Sequence, residues 1–125
     1  MQSVFPEPER IIASMDNLYS YLNEAYGAPI NVYRELPLQM QTPAGQILRG
    51  SCDLVWETNQ GYVLVDYKSY RGGQNDILTP GGEHYAGIYV AQLKAYRDVL
   101  EETGKKVLDT VIYYAVAGII VRLSI

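Results

Sequence analysis

Apolar positions near the N-terminus recur at helical spacing. Ile11, Met15, Leu18 and Leu22 stand at i, i+4, i+7 and i+11, with Ile12, Tyr19 and Tyr26 beside them. This predicts an amphipathic helix over 7–26, with Pro8 in its first turn and Gly27 and Pro29 at its end. The pattern then turns to strands. NVYRELPLQMQ, 31–41, reads as one, with Pro37 marking an edge or a bulge. Pro43-Ala44-Gly45 suits a three-residue hairpin loop with glycine at the left-handed position. Two strands follow, 46–57 and 61–68, joined at Asn59-Gln60 with Thr58 opposite Gly61. Leu48, Cys52, Leu54 and Trp56 are expected on one face of the first, and Ser51, Asp53, Val55 and Glu57 on the other. A loop over 69–82 leads to a second helix, 83–103, stopped by Gly104. VIYYAVAGIIV then reads as two closing strands, 109–117 and 118–125, apolar enough to be covered on both faces.

The order is α-β-β-β-α-β-β. It predicts an α/β (α+β) fold, a mixed sheet of about five strands flanked by helices, in one domain over 1–125. The second helix is expected to be a right-handed crossover between parallel strands.

These registers place chemistry. The Asn59-Gln60 turn sets Asp53 directly opposite Asp66, with Cβ atoms about 5 Å apart. Asp66 and Lys68 share a face. The preceding hairpin puts Glu35 opposite Asp53. Facing carboxylates repel, and a divalent cation between them would remove the conflict.

Composition narrows the field. Apolar residues make up 48 % and charged residues 19 %, which suits a packed core rather than disorder. The single cysteine, Cys52, forms no internal disulfide, so a reducing, cytoplasmic setting fits, and Cys52 is expected to be a small core residue. No signal peptide is visible, and no apolar run is long enough to span a membrane. The net charge of −4 argues against gripping nucleic acid by bulk charge. A local strip of Arg71, Lys94, Arg97, Lys105 and Lys106 is the basic alternative.

There are 12 tyrosines against one Phe and one Trp. Tyr85, Tyr89, Gln92 and Tyr96 fall on one face of the second helix, suited either to a half-wet groove or to a helix–sheet contact. His84, the only histidine, sits at a loop exit and is expected to be structural.

Three of these parts together carry a resemblance. Gly50-Ser-Cys-Asp53, then Asp66-Tyr67-Lys68, then Gln92-Leu-Lys-Ala-Tyr96 resembles the RecB/AddA-type branch of the PD-(D/E)XK nucleases. That branch carries a G-x-x-D strand, a D-x-K strand and a Q-x-x-x-Y helix. The stretch from RELPL at 34–38 onward is similar to the C-terminal nuclease domain of UvrD/Rep-type helicases.

The resemblance implies a restriction-endonuclease-like fold and a Mg²⁺- or Mn²⁺-dependent deoxyribonuclease, exonuclease-type, in recombination and repair. Asp53 and Asp66 would bind the metal with the backbone carbonyl of Tyr67, and Glu35 is a further candidate ligand. Lys68 would orient or deprotonate the attacking water, or stabilise developing charge. Gln92 and Tyr96 would contact DNA or order the site, with Arg71, Tyr89 and Lys94 as further DNA contacts. Implied partners are DNA, helicase domains of a parent chain and a partner subunit, with no membrane. The branch usually has a metal-site histidine on an upstream helix, absent here, so the chain is expected to be a fragment beginning downstream of that helix. The alternative reading is an inactive nuclease-like module that binds DNA or a partner subunit.

Overall fold

The computed structural model describes residues 7–10 and 15–123, with side chains from Asn17 onward. Strands β1 (Glu7–Arg10), β2 (Asn31–Gln41), β3 (Ile47–Glu57), β4 (Tyr62–Lys68), β5 (Val107–Tyr114) and β6 (Ile119–Leu123) form one mixed sheet. Their order is β1-β6-β5-β4-β3-β2. The helices are α1 (Met15–Tyr26), α2 (Gln74–Leu78) and α3 (Val90–Glu101).

Alternation along the central strands divides the core between two faces. Leu18 and Leu22 of α1 pack on Leu54, Trp56, Val63, Val65, Val111 and Tyr113. The alternate residues turn to the α3 side. There Leu93 meets Ile112 and Tyr114, and Leu100 meets Val55, Leu64 and Val107. Leu18, Leu22 and Leu93 are fully buried, each contributing roughly 1.5–3 kcal/mol. The crossover through α2 and α3 joins β4 to β5 as the parallel pair expected from the sequence, with Asp66 beside Ile112 and Lys68 beside Tyr114.

Both hairpins hold their expected registers. Leu54 pairs with Val65 and Glu57 with Tyr62 across β3 and β4. Leu36 pairs with Cys52 and Arg34 with Leu54 across β2 and β3. The Pro43-Ala44-Gly45 loop closes with Thr42 N–H on the Gln46 carbonyl at 2.8 Å, and Gly45 takes φ +86°.

Glu35 and Asp53, which this register sets opposite each other, interrupt the ladder. Glu35 has φ +51°, the one non-glycine with positive φ among the described residues. The left-handed turn swivels both strands, so alternation slips by one. Tyr33 and Leu36 pack on the same side, as do Cys52 and Val55. The single face expected for Leu48, Cys52, Leu54 and Trp56 is therefore corrected. Leu48 and Cys52 turn toward α3, and Leu54 and Trp56 toward α1. A left-handed glutamate is strained. Glu35→Gly is expected to raise the unfolding free energy by up to about 1 kcal/mol, read as a higher urea midpoint at unchanged slope.

The N-terminal helix is shorter than expected. Glu7–Arg10 is a strand paired antiparallel with β6, Pro8 beside Val121, and helix begins at Met15. Proline's fixed φ suits an edge strand as well as a first helical turn, and β6 offered the pairing. Ile11 and Ile12 lie outside the described residues, as do Ser124 and Ile125. The 69–82 loop holds α2, anchored by fully buried Ile77. One buried residue leaves no periodicity to read. The second helix proper begins at Val90, after a 3-10 turn over Ala86–Tyr89.

Candidate active site

The β3–β4 ladder ends at Leu54 and Val65, and the next residues are the two acids. Asp53 uses its side chain where the ladder stops: its Oδ2 accepts the Tyr67 backbone N–H at 2.7 Å. A carboxylate held by backbone has a fixed direction. Asp66 follows on β4, on the side of Leu64 under α3, and is only 6 % exposed. Burial first, and the adjoining Asp53 carboxyl second, push its protonation above the ordinary carboxylate range, with Lys68 opposing.

Lys68 Nζ lies 2.8 Å from Asp66 Oδ2. This buried oxygen is thus charge-paired with the lysine. The same ammonium stands 4.1 Å from the centroid of the Tyr89 ring. Below it, buried Tyr114 donates its hydroxyl to the His84 carbonyl at 3.2 Å. His84 stacks on Tyr70, ring centroids 4.0 Å apart.

The third motif meets the first through a glycine. Gln92 Nε2 donates to Tyr96 Oη at 2.9 Å, and that hydroxyl lies against Gly50, in space a Cβ would occupy. Gln92, Tyr96 and Gly50 border a groove of about 400 Å³ between α3 and the β2–β3 hairpin, with Leu38, Met40 and Leu48 among its apolar walls. On the α1 side, Tyr67 sets its ring edge-on to Tyr113 at 6.2 Å, and burial chiefly pushes its hydroxyl up to about 12. Arg34 donates to Tyr19 Oη from Nε at 3.1 Å and Nη2 at 2.6 Å.

Asp66 thus meets Lys68 and adjoins Asp53, just beyond the end of the β3–β4 ladder. Glu35 is exposed. Among the described residues no three His, Cys, Asp or Glu side chains gather as a ligand group. Arg71 and Lys94 are exposed. Two members of the basic strip are engaged elsewhere: Lys105 bonds Glu57 at 2.6 Å, and Arg97 bonds Asp98 at 3.0 Å. Burial pushes the Cys52 thiol up to about 12, consistent with an inert core residue. Sequence reasoning missed Tyr114. The available signal was its place at the carboxyl end of a parallel strand, where sites in open sheets form.

The donor chemistry fits a divalent cation. Two hard carboxylates adjoin, and burial first and the neighbouring Asp53 second disfavour the negative charge on Asp66. The family model of the PD-(D/E)XK nuclease superfamily matches residues 7–123.

The chain belongs to the PD-(D/E)XK nuclease superfamily.

Its relatives carry a further name. An AddA-type ATP-dependent helicase/nuclease subunit of Alkaliphilus oremlandii is 30 % identical over 114 residues, covering 79 % of this chain and 9 % of that protein. The protein of the same name from Clostridium botulinum (strain Loch Maree) is 34 % identical over 85 residues, 67 % of this chain and 6 % of that protein. The one from Desulforamulus reducens is 31 % identical over 106 residues, 74 % of this chain and 8 % of that protein. This PD-(D/E)XK chain spans less than a tenth of the length of these relatives. Its mixed sheet flanked by helices is the restriction-endonuclease-like α+β architecture. No helix among its described residues is long and apolar enough to cross a membrane.

Proposed function

We propose that this chain is the metal-dependent DNA nuclease part of a larger ATP-dependent helicase-nuclease, hydrolysing phosphodiester bonds in an exonuclease-type reaction. The observation that carries it is the Asp53–Asp66 carboxylate pair with Lys68 Nζ 2.8 Å from Asp66. The relatives' names support the helicase-nuclease setting. A recombination and repair role in the cytoplasm belongs to the same proposal.

Asp53, Asp66 and the Tyr67 carbonyl are the groups to hold Mg²⁺ or Mn²⁺, which when bound would neutralise charge on the scissile phosphate and activate water. The chain's own residues do the rest. The Tyr67 N–H fixes Asp53, so one carboxylate keeps its direction before any ligand arrives. Lys68 places a positive charge beside the acid pair, where it orients the attacking water or stabilises the charge that develops. Gln92 and Tyr96 present an amide and a hydroxyl at the groove beside Gly50, suited to a DNA backbone or base. With a net charge of −4, affinity for DNA rests on such local groups and on the parent chain's helicase domains.

Cleavage of linear single- and double-stranded DNA with Mn²⁺ or Mg²⁺ tests this, comparing the chain with Lys68→Ala and Asp53→Ala. Metal-dependent cutting that falls at least a hundredfold in both variants is expected, roughly the effect of losing one preorganised charge. Cutting indifferent to both substitutions would overturn the site. So would the absence of both cutting and carboxylate-dependent Mn²⁺ binding by calorimetry.

A further inference from the structure

The proposed reaction turns on Lys68, and a lysine is a poor instrument of position. Its ammonium sits on a flexible four-carbon stem and is strongly hydrated. The structure restrains it from two sides. Asp66 Oδ2 lies 2.8 Å away, and the face of Tyr89 lies 4.1 Å away at the ring centroid. The side chain is 23 % exposed, so much of its water is replaced by these groups.

Tyr89 is itself held. It closes the 3-10 turn Ala86–Tyr89, at the residue before α3. Ala86 is fully buried, and Tyr89 packs on the cluster that contains Ile112 and Tyr114. Tyr114 sits beside Lys68 across the parallel pair and bonds the His84 carbonyl just before the turn. Backbone and core thus fix the ring before Lys68 leans on it. The ring faces the ammonium, the geometry in which an aromatic quadrupole attracts a cation.

We propose that Tyr89 is a positioning residue for Lys68. Its ring face, not its hydroxyl, holds the ammonium beside Asp66 and toward the phosphate, in place of the DNA contact its sequence position suggested. The catalytic half of this proposal rests on the nuclease reading; the positional half does not.

The test compares wild type with Tyr89→Phe and Tyr89→Leu. The chain has four lysines, so the Cε protons of 13Cε-labelled lysine resolve well, with Lys68→Arg giving the assignment. In the metal-free protein, Lys68 Hε is expected upfield of Lys94 and Lys106 through the ring current. That displacement persists in Tyr89→Phe and vanishes in Tyr89→Leu. In Mn²⁺-dependent cleavage, Tyr89→Phe stays within about twofold of wild type. Tyr89→Leu loses about tenfold to a hundredfold in kcat with KM nearly unchanged, the mark of a misplaced catalytic group.

A Lys68 Hε signal without upfield displacement in wild type overturns the proposal whatever the kinetics. A Tyr89→Leu defect confined to KM overturns it in favour of a DNA contact, and unchanged kinetics overturn its catalytic half. If the displacement behaves as expected while wild type cuts no DNA, the nuclease reading fails and the positional half stands.

Discussion

Asp66→Asn is expected to lower metal-dependent cleavage by about a thousandfold or more while making the metal-free protein more stable. Both effects follow from the same burial. Asp66 is 6 % exposed and adjoins Asp53, and its protonation is pushed up by burial and then by that neighbour. An unfolded chain solvates the carboxylate normally. Between the ordinary carboxylate pKa and the raised folded value, the folded state therefore binds more protons than the unfolded one. Stability must fall as pH rises through that window, and it stays lowered above it. Asparagine keeps the shape and removes the titration. Urea melts from pH 4 to 8 should show a declining stability for wild type without metal and a flatter, higher profile for the variant. A variant that loses activity yet keeps the wild-type slope would sink the burial argument, because another group would then own that slope.

Gly50→Val is the second large effect, expected to cost about 1–3 kcal/mol and most of the cleavage activity. A Cβ at Gly50 meets the Tyr96 hydroxyl first, with Tyr96 ring carbons at 3.2 Å behind it. Valine adds two methyls to that collision, so the ring must leave. Tyr96 is bonded by Gln92 at 2.9 Å, and the pair frames the groove beside β3. Tyr96→Phe gives the control. It removes the atom that a Cβ strikes first, so Gly50→Ala should be better tolerated in the Phe background than in wild type. A double-mutant cycle on stability measures that coupling. Independent, additive costs would show that the glycine serves the backbone rather than the tyrosine.

The G-x-x-D glycine and the Q-x-x-x-Y tyrosine are thus one contact, which their separation along the chain conceals. What the sequence did reveal had short-range causes. Asn59-Gln60 and Pro43-Ala44-Gly45 are turns of defined length, and a turn of defined length fixes register. Leu54 opposite Val65, and Leu36 opposite Cys52, were legible for that reason. The swivel at Glu35 was not, because nothing marks a glutamate for the left-handed region as it would mark a glycine. Strand β1 was hidden because its pairing is set by a partner at the far end of the chain. The stacking of Lys68 on Tyr89 was hidden because it exists only once the crossover has closed. Carboxylates and lysine could be read from spacing; the aromatic surroundings needed the fold.

That crossover orders events in time. Both acids lie on a hairpin whose ladder spans only residues 54–65, and contacts so close in sequence can form early. Lys68 finds its aromatic seat only after α3 has docked and β5 has paired with β4, a closure that reaches Tyr114. A chain emerging from the ribosome would therefore carry its paired acids well before its lysine is seated. The lysine's seat therefore depends on a pairing far longer in sequence than the hairpin that carries the acids.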